Sequence, residues 1–271
     1  MPHSEDQLEH VPVEKWPTLQ DLAEDFGEHL MAPSNGLVGS SLALLIDNEL
    51  SVRHDFQSPS QLTWSVENGK DAGLSGHAQY QSFEVRPEIY FIDFSKPDYD
   101  ENVSIIFNKR TNQSLVAISK FCKVDGQRRT TTTILQARVK DSESVEPYQI
   151  SDELIGKRIL YRYTAKDAYE HIYLNRGTMT WHCLDGTEKG LADTERCQVF
   201  KLSEKLYLLF WSETIMPVES VVVVDLQEMR STGRFFCWDP KPQQAVHVRF
   251  GSFATFLGES NVMDVLNSLR K

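Results

Sequence analysis

The chain has 271 residues, 40% of them hydrophobic, and a formal net charge of −11, with 28 Lys+Arg against 39 Asp+Glu. That supplies a core for one large domain or two small ones. An acidic balance without a basic cluster beyond the short KRIL and QRR runs argues against a nucleic-acid partner, and runs such as LYLLFW are far too short to span a membrane.

The opening MPHSEDQLEHVPVEKW is polar and acidic, with neither the basic nor the apolar region of a secretory signal. A cytoplasmic protein is therefore expected, with Cys122, Cys183, Cys197 and Cys237 as reduced thiols. WPTLQDLAEDFGEHLM (16–31) has apolar spacing suited to a short helix, which makes residues 1–35 an N-terminal helical segment. A first series of short strands follows: SLALLID, LSVRHDF, LTWSV, EIYFIDF, VSIIF, SLVAISKF and TTTTILQARV. The second series is RILYRY, YEHIYLN, TMTWHCL, CQVFKL, LYLLFW, SVVVVDL, GRFFCW and AVHVRFG, and NVMDVLNSLRK closes the chain as a helix over 261–271. Many short strands between turn residues predict an all-β protein of antiparallel sandwiches or barrels.

The two series are copies. A shift of 117 residues overlays them without a gap, giving 12 identities over positions 37 to 108. Among them are His54 on His171, the pair Thr63-Trp64 on Thr180-Trp181, and Gly69 on Gly186. Two tandem β domains are expected, about 36–147 and 150–260.

Each copy contains a hairpin whose register places a histidine across from a tryptophan: His54 from Trp64, His171 from Trp181. In the second, a three-residue NRG loop would pair Leu174 with Thr178 and put Gly177 in a left-handed position. Alternation then assigns Val52, His54, Phe56, Leu62, Trp64 and Val66 to the buried face of the first hairpin, with Leu44 and Ile46 of the preceding strand beside them. The shift turns Leu44, Ile46, Val52 and Phe56 into Tyr161, Tyr163, Tyr169 and Tyr173, and Val66 into Cys183. A buried hydroxyl without a partner costs about 1–3 kcal/mol. Four of them call for a network, trapped water or a ligand. The second domain is thus expected to enclose a polar-lined pocket and the first to be a packed support. Hydroxyls reaching the rim are the alternative.

The other face of the second hairpin sets Glu170 across from His182, an acid–base pair or an ordinary cross-strand ion pair. Ile172, Leu174 and Leu184 share that face, which the other domain or a second subunit of a homodimer would cover. Tyr207, Trp211 and Glu213 alternate along LYLLFWSE. If they point inward, Glu213 is a carboxylate near an aromatic pocket, suited to acid or base work. His182 and Cys183 are adjacent and so face opposite ways, and no HxH, HExxH or zinc-ligand spacing occurs, so no metal site is expected. GxSxG, Walker and dinucleotide signatures are absent too, and no cofactor is expected.

YEHIYLN, TWHCLDGTEKGLADTERC, LYLLFWSETIMP and EIYFIDF resemble the MoaF family, labelled molybdenum cofactor biosynthesis protein F. The resemblance covers most of residues 36 to 240 and is strongest in the second copy. It implies a tandem pair of calycin-like (lipocalin-like) antiparallel β-barrels. It implies little about activity, and the label does not establish molybdopterin work. Other calycin-like barrels bind small apolar ligands or decarboxylate or cyclise small aromatic or lipid-derived substrates, which is an analogy of fold.

The expectation is a barrel protein binding a small aromatic or polycyclic molecule in its second domain and acting on it as a cofactor-independent lyase, isomerase or cyclase of specialised metabolism. Tyr161, Tyr163, Tyr169 and Tyr173 would orient the substrate, His171 or Glu213 would move a proton, and Trp181 and Trp211 would form walls. A non-catalytic carrier or sensor, and a scaffold that dimerises through its β-faces, are the alternatives.

Overall fold

The computed structural model describes residues 11–22 and 25–270. Two eight-stranded antiparallel sheets each close into a barrel. The first runs through β1 (Ser41–Ile46), β2 (Leu50–Phe56), β3 (Gln61–Val66), β4 (Ser75–Arg86), β5 (Ile89–Lys96), β6 (Glu101–Asn108), β7 (Gln113–Val124) and β8 (Gln127–Val139). The second runs through β9 (Lys157–Arg162), β10 (Ala168–Asn175), β11 (Thr178–Asp185), β12 (Ala192–Ser203), β13 (Leu206–Ser212), β14 (Val218–Asp225), β15 (Arg230–Asp239) and β16 (Gln244–Glu259). Closure leaves neither sheet with a free edge.

The shift of 117 carries β4 onto β12 and β6 onto β14 residue for residue, and it holds past Asn108, bringing β7 and β8 onto the starts of β15 and β16. β4 is absent from the strands expected in the first copy. Its opening half, SGHAQYQ, is polar, yet Ala78 and Tyr80 alternate into the core, as the burial of its partner β12 does.

Alternation decides what each barrel encloses. The first holds Leu42, Leu44, Phe56, Leu62, Trp64, Phe94 and Ile105 with their neighbours. The second holds the four tyrosines, Met179, Trp181, Trp211, Phe235, Phe250 and three of the four cysteines. All four cysteines are free. A third apolar cluster lies between the barrels, and the duplication explains it. Phe83, Val85, Ile89, Phe91 and Ile106 on the outside of the first meet Phe200, Leu202, Leu206, Leu208 and Val223, their own counterparts, on the outside of the second. The two copies therefore pack through equivalent faces, as the subunits of a two-fold dimer do.

Polar groups fasten the same contact. Arg234, fully buried, donates to Ser104 Oγ (3.0 Å), Ser119 Oγ (2.7 Å) and the Glu219 carbonyl (2.8 Å). Asp93, equally buried, accepts from Arg249 Nε (2.7 Å) and lies 2.8 Å from His247 Nε2. Burial pushes the Asp93 carboxyl up, but His247, Arg249 and Arg234 outweigh it and hold the group well below the usual carboxylate range. Arg86 clamps Asp225 with two bonds of 2.6 and 2.7 Å.

The N-terminal segment is not one helix over 16–31. Within its described residues there is a 3-10 turn (Val13–Lys15) and a single helical turn, α1 (Leu19–Leu22), and Asp25 adopts a left-handed φ of 65° that a continuing helix does not accept. The segment crosses to the second barrel. Trp16, Leu19, Leu22 and Phe26 join that barrel's core, with Phe26 stacked on Tyr163 at 5.0 Å and Trp16 edge-on to Trp181 at 5.9 Å. Asp239 accepts from the Leu19 N–H, Lys241 reaches the Trp16 carbonyl, and Glu28 accepts from the Ala165 N–H. Gly251 lets the strap lie flat on β16, since a Cβ there would come within 2.4 Å of the His29 carbonyl oxygen. At the other end, α2 (Val262–Leu269) is helical as its spacing predicts.

Candidate functional site

The hairpin of β10 and β11 pairs His171 with Trp181 and Glu170 with His182, the register that alternation gives. Its turn differs from the expectation. Leu174 is bulged out, Asn175 pairs with Thr178, and Gly177 is not left-handed. The Asn175 side chain accepts from the Gly177 N–H at 2.9 Å, and this local turn replaces the bulged glycine loop. Leu174 and Leu184 stay exposed, at 49% and 38%, and the first barrel does not cover them.

Glu170 and His182 lie on the outside of the barrel. Glu170 is buried there by Arg158, which donates to it at 2.5 Å, and His182 Nδ1 lies 4.0 Å away. A carboxylate so held by a guanidinium is an ion pair on the sheet surface, remote from the interior groups. Inside, the tyrosines separate into layers. The hydroxyls of Tyr161 and Tyr173 bond each other at 3.0 Å. Tyr207 points to the far end, where its hydroxyl donates to Glu153 at 2.6 Å.

The remaining residues converge on one small cavity beneath the strap, with about 30 Å³ open to the centre of a water molecule. Tyr163, Tyr169, Trp181, Trp211 and Phe235 form its walls, Leu22 and Phe26 close it from above, and His171, Glu188 and Glu213 supply the polar groups. Trp211 Nε1 donates to Glu213 at 2.8 Å and the Tyr169 hydroxyl to Glu188 at 2.8 Å. Three polar atoms of these residues have no partner: His171 Nδ1, Trp181 Nε1 and Glu188 Oε1. In the first barrel the matching His54 Nδ1 lies 3.3 Å from the Leu42 carbonyl. The histidine kept by both copies is satisfied by backbone in one and left open in the other.

Glu188 went unrecognised in the sequence because it sits in the loop between β11 and β12, where strand alternation says nothing. Gly186 makes its position accessible. With φ at +111°, it lies where a Cβ would come within 2.0 Å of Asp167, whose carboxylate accepts from the Thr187 N–H. The loop can then fold down and turn Glu188 inward. The corresponding Asp71 of the first copy is exposed.

Burial sets the protonation of this group. It pushes the Glu188 carboxyl up to about 7, with Tyr169 lowering it and Asp167 raising it. It holds Glu213 well above the usual range, against the bond from Trp211 and with Glu188, Glu195 and Asp193 adding to the rise. It pushes His171 down to about 3, so the imidazole is neutral. The Cys183 and Cys197 thiols are raised to about 12 and 11, which makes them inert packing rather than nucleophiles.

A consequence follows for stability. A carboxyl whose folded pKa is raised contributes stability that is complete below the unfolded value of 4.5 and is lost as pH rises through the folded value, here about 7. His54 and His171 have the opposite sign and their unfolded-state titration is centred on pH 6.5, but they contribute equally to wild type and to a Glu188 variant, so the difference between the two from pH 6.5 to 8 isolates this carboxyl. Between those pH values Glu188 alone should remove about 1 kcal/mol from the unfolding free energy. Denaturant titrations should show Glu188→Gln with a shallower decline than wild type; identical slopes would contradict the buried, protonated carboxyl.

Glu213 also faces outward. It lines the open cleft of about 1470 Å³ between the β7–β8 hairpin and the side of the second barrel. It is thus the one cavity carboxyl, among the described residues, that borders both the small cavity and the cleft.

Two closed eight-stranded barrels in tandem, the first packed and the second carrying convergent polar groups, define a duplicated calycin-like protein. Residues 14–123 match the MoaF N-terminal domain and residues 148–260 the MoaF C-terminal domain. The chain is 31% identical over 228 residues to Protein MoaF of Klebsiella aerogenes, an alignment covering 79% of this chain and 84% of that protein. It belongs to the MoaF family. The match begins well before residue 36, so the strap lies within the family's N-terminal domain even though it closes the C-terminal barrel. Among the described residues no helix is long and apolar enough to cross a membrane.

Proposed function

We propose that the second barrel binds a small aromatic metabolite in the cavity beneath the strap and moves a proton on it with Glu188 and Glu213. The observation that carries this reading is the convergence of three unpartnered buried atoms, His171 Nδ1, Trp181 Nε1 and Glu188 Oε1, on one aromatic-walled space. Each forgoes about 1–3 kcal/mol of hydrogen bonding that a ligand would restore. The space as it stands suits one or two waters. A larger ligand must take the place of Leu22 or Phe26, and the strap, whose described residues hold only a 3-10 turn and a single α-helical turn, is the element able to yield.

The chemistry follows from the two carboxyls. At neutral pH Glu188 is divided between its forms, while Glu213 keeps its proton. Ionised Glu188 can take a proton from one atom of a substrate while Glu213 gives one to another. The substrate keeps its composition, which is an isomerisation, and the same acid and base serve a lyase or cyclase step. After the exchange Glu188 is protonated and Glu213 ionised, and the cycle closes when Glu213 takes a proton from the cleft and Glu188 gives its own up to solvent as the product leaves. Tyr163 and Tyr169 with the walls of Trp181 and Trp211 would orient the substrate, and His171 would hold it as a neutral imidazole.

A carrier or sensor is the second reading. It is favoured by the strap, whose Leu22 and Phe26 fill the mouth and would be displaced when a ligand enters. Glu188→Gln and Glu213→Gln, tested separately with aromatic compounds as substrates and ligands, decide between the two. An acid–base enzyme loses about 100-fold or more of its turnover while keeping most of its affinity. Unchanged turnover in both variants would remove the catalytic reading. Binding without any conversion would establish the carrier.

A further inference from the structure

The two copies differ most at one point of this site. At the mouth of the first barrel the Lys96 ammonium sits over the Trp64 ring, 4.3 Å from its centre, and 4.9 Å from that of Tyr99. Glu101 pairs with it at 2.8 Å. The shift of 117 carries Trp64 onto Trp181 and Lys96 onto Glu213. The second copy therefore keeps the ring and has a carboxyl at the position of the cation, lining the same cavity as Trp181 and bonded to Trp211.

Around that position the second barrel has gathered what a cation needs. Trp181, Trp211, Tyr163 and Tyr169 present aromatic surface, whose faces attract positive charge. Glu188, 3% exposed, brings a second carboxyl with one oxygen unpartnered. Among the described residues no lysine or arginine lines the cavity. His171 is pushed down to about 3 by burial and supplies no charge. Asp167, Asp193 and Glu195 add negative potential behind Glu188 and Glu213. A metal ion does not fit, because among the described residues no three His, Cys, Asp or Glu side chains group to hold one.

We propose that the second barrel binds a small organic cation, an ammonium or amidinium head on an aromatic or aliphatic stem, with the head over Trp181 between Glu188 and Glu213. This rests on the reading of the cavity as a small-molecule site and names its ligand class. The head fits the existing space, and the stem takes the path of Phe26. Its arrival ionises one carboxyl, so binding releases a proton.

The test is calorimetric titration of the full chain at pH 7 with benzylammonium, neutral benzyl alcohol and benzoate, in two buffers of different ionisation heat, while the indole N–H signals are followed by NMR. Benzylammonium should bind about tenfold or more tighter than the alcohol, release a proton and shift the Trp181 signal. Benzoate should be weakest. Glu188→Gln should weaken the ammonium more than the alcohol and so narrow the gap between them. In the wild type alone, lowering the pH to 5 should narrow it too, as the carboxyls resist ionisation. If the alcohol binds as well as the ammonium, the cation inference fails and the small-molecule site stands. If benzylammonium perturbs Trp64 in place of Trp181, the inference fails as well. If none of the three binds, the site itself fails and the inference with it.

Discussion

Asp93→Ala should lower the unfolding free energy by about 3–5 kcal/mol. Asp93 is fully buried in the contact between the barrels and satisfies Arg249 and His247 directly, with Arg234 Nε 3.9 Å away. Its removal leaves Arg234, itself fully buried, without the carboxylate that balances it. Breaking a buried pair from one side costs far more than the pair contributes, because the orphaned charge keeps its desolvation penalty. The loss should be felt by both barrels, since β5 of the first and β15 and β16 of the second all contribute to the network. Equilibrium denaturation followed by tryptophan fluorescence, with Trp64 in one barrel and Trp181 and Trp211 in the other, reads this directly. A loss below about 1 kcal/mol would mean that water reaches Asp93 and that the contact is looser than its burial indicates.

Phe26→Ala should open the second barrel. Phe26 stacks on Tyr163 and meets Tyr169, Phe235 and Phe250 at ring distances of 6.1 to 6.4 Å, so it is the deepest anchor of the strap. Truncating a buried phenylalanine costs about 3–5 kcal/mol. Much of that cost should appear as detachment of the strap rather than as unfolding, because the hydrogen-bonded ladder of the barrel closes without it. Hydrogen exchange should quicken over the described strap residues while the strands keep their protection. Aromatic probes should bind about tenfold more tightly, because the competing side chain is gone. If probe affinity falls instead, Phe26 is part of the wall that ligands need and the strap does not act as a cover.

Much of this was legible in the sequence, for identifiable reasons. Strand alternation located the His171–Trp181 register and the inward tyrosines, because a closed barrel imposes a strict two-residue period on what it encloses. The duplication made the tyrosines conspicuous by showing hydrocarbon at the same places in the first copy. It would also have supplied β4, whose polar opening conceals it when read alone, through its partner β12. Alternation could not say which hydroxyls satisfy one another. Tyr161 and Tyr173 do, at 3.0 Å, and so leave the polar lining to others. Glu188 lay beyond its reach because a loop has no period, although the glycine that sets its position, Gly186, is one of the residues both copies share. The strap was also unreadable. Nothing in a local pattern tells a segment preceding the first barrel to cross over and close the second. The facing of Glu213, just after β13 ends at Ser212, was settled by the bond to its carboxyl from the inward Trp211.

The account turns on one asymmetry: a packed first barrel and a second barrel with a site. The five tryptophans report it from within a single molecule, since Trp64 lies in the first core and Trp181 and Trp211 in the second. Their indole N–H signals, followed by NMR during titration with a set of small aromatic cations, neutral compounds and anions, measure both barrels at once. The account predicts that Trp181 and Trp211 shift in the presence of a ligand, with Trp16 following as the strap yields, while Trp64 does not move. Shifts at Trp64 equal to those at Trp181, or five unchanged signals across the whole set, would contradict it.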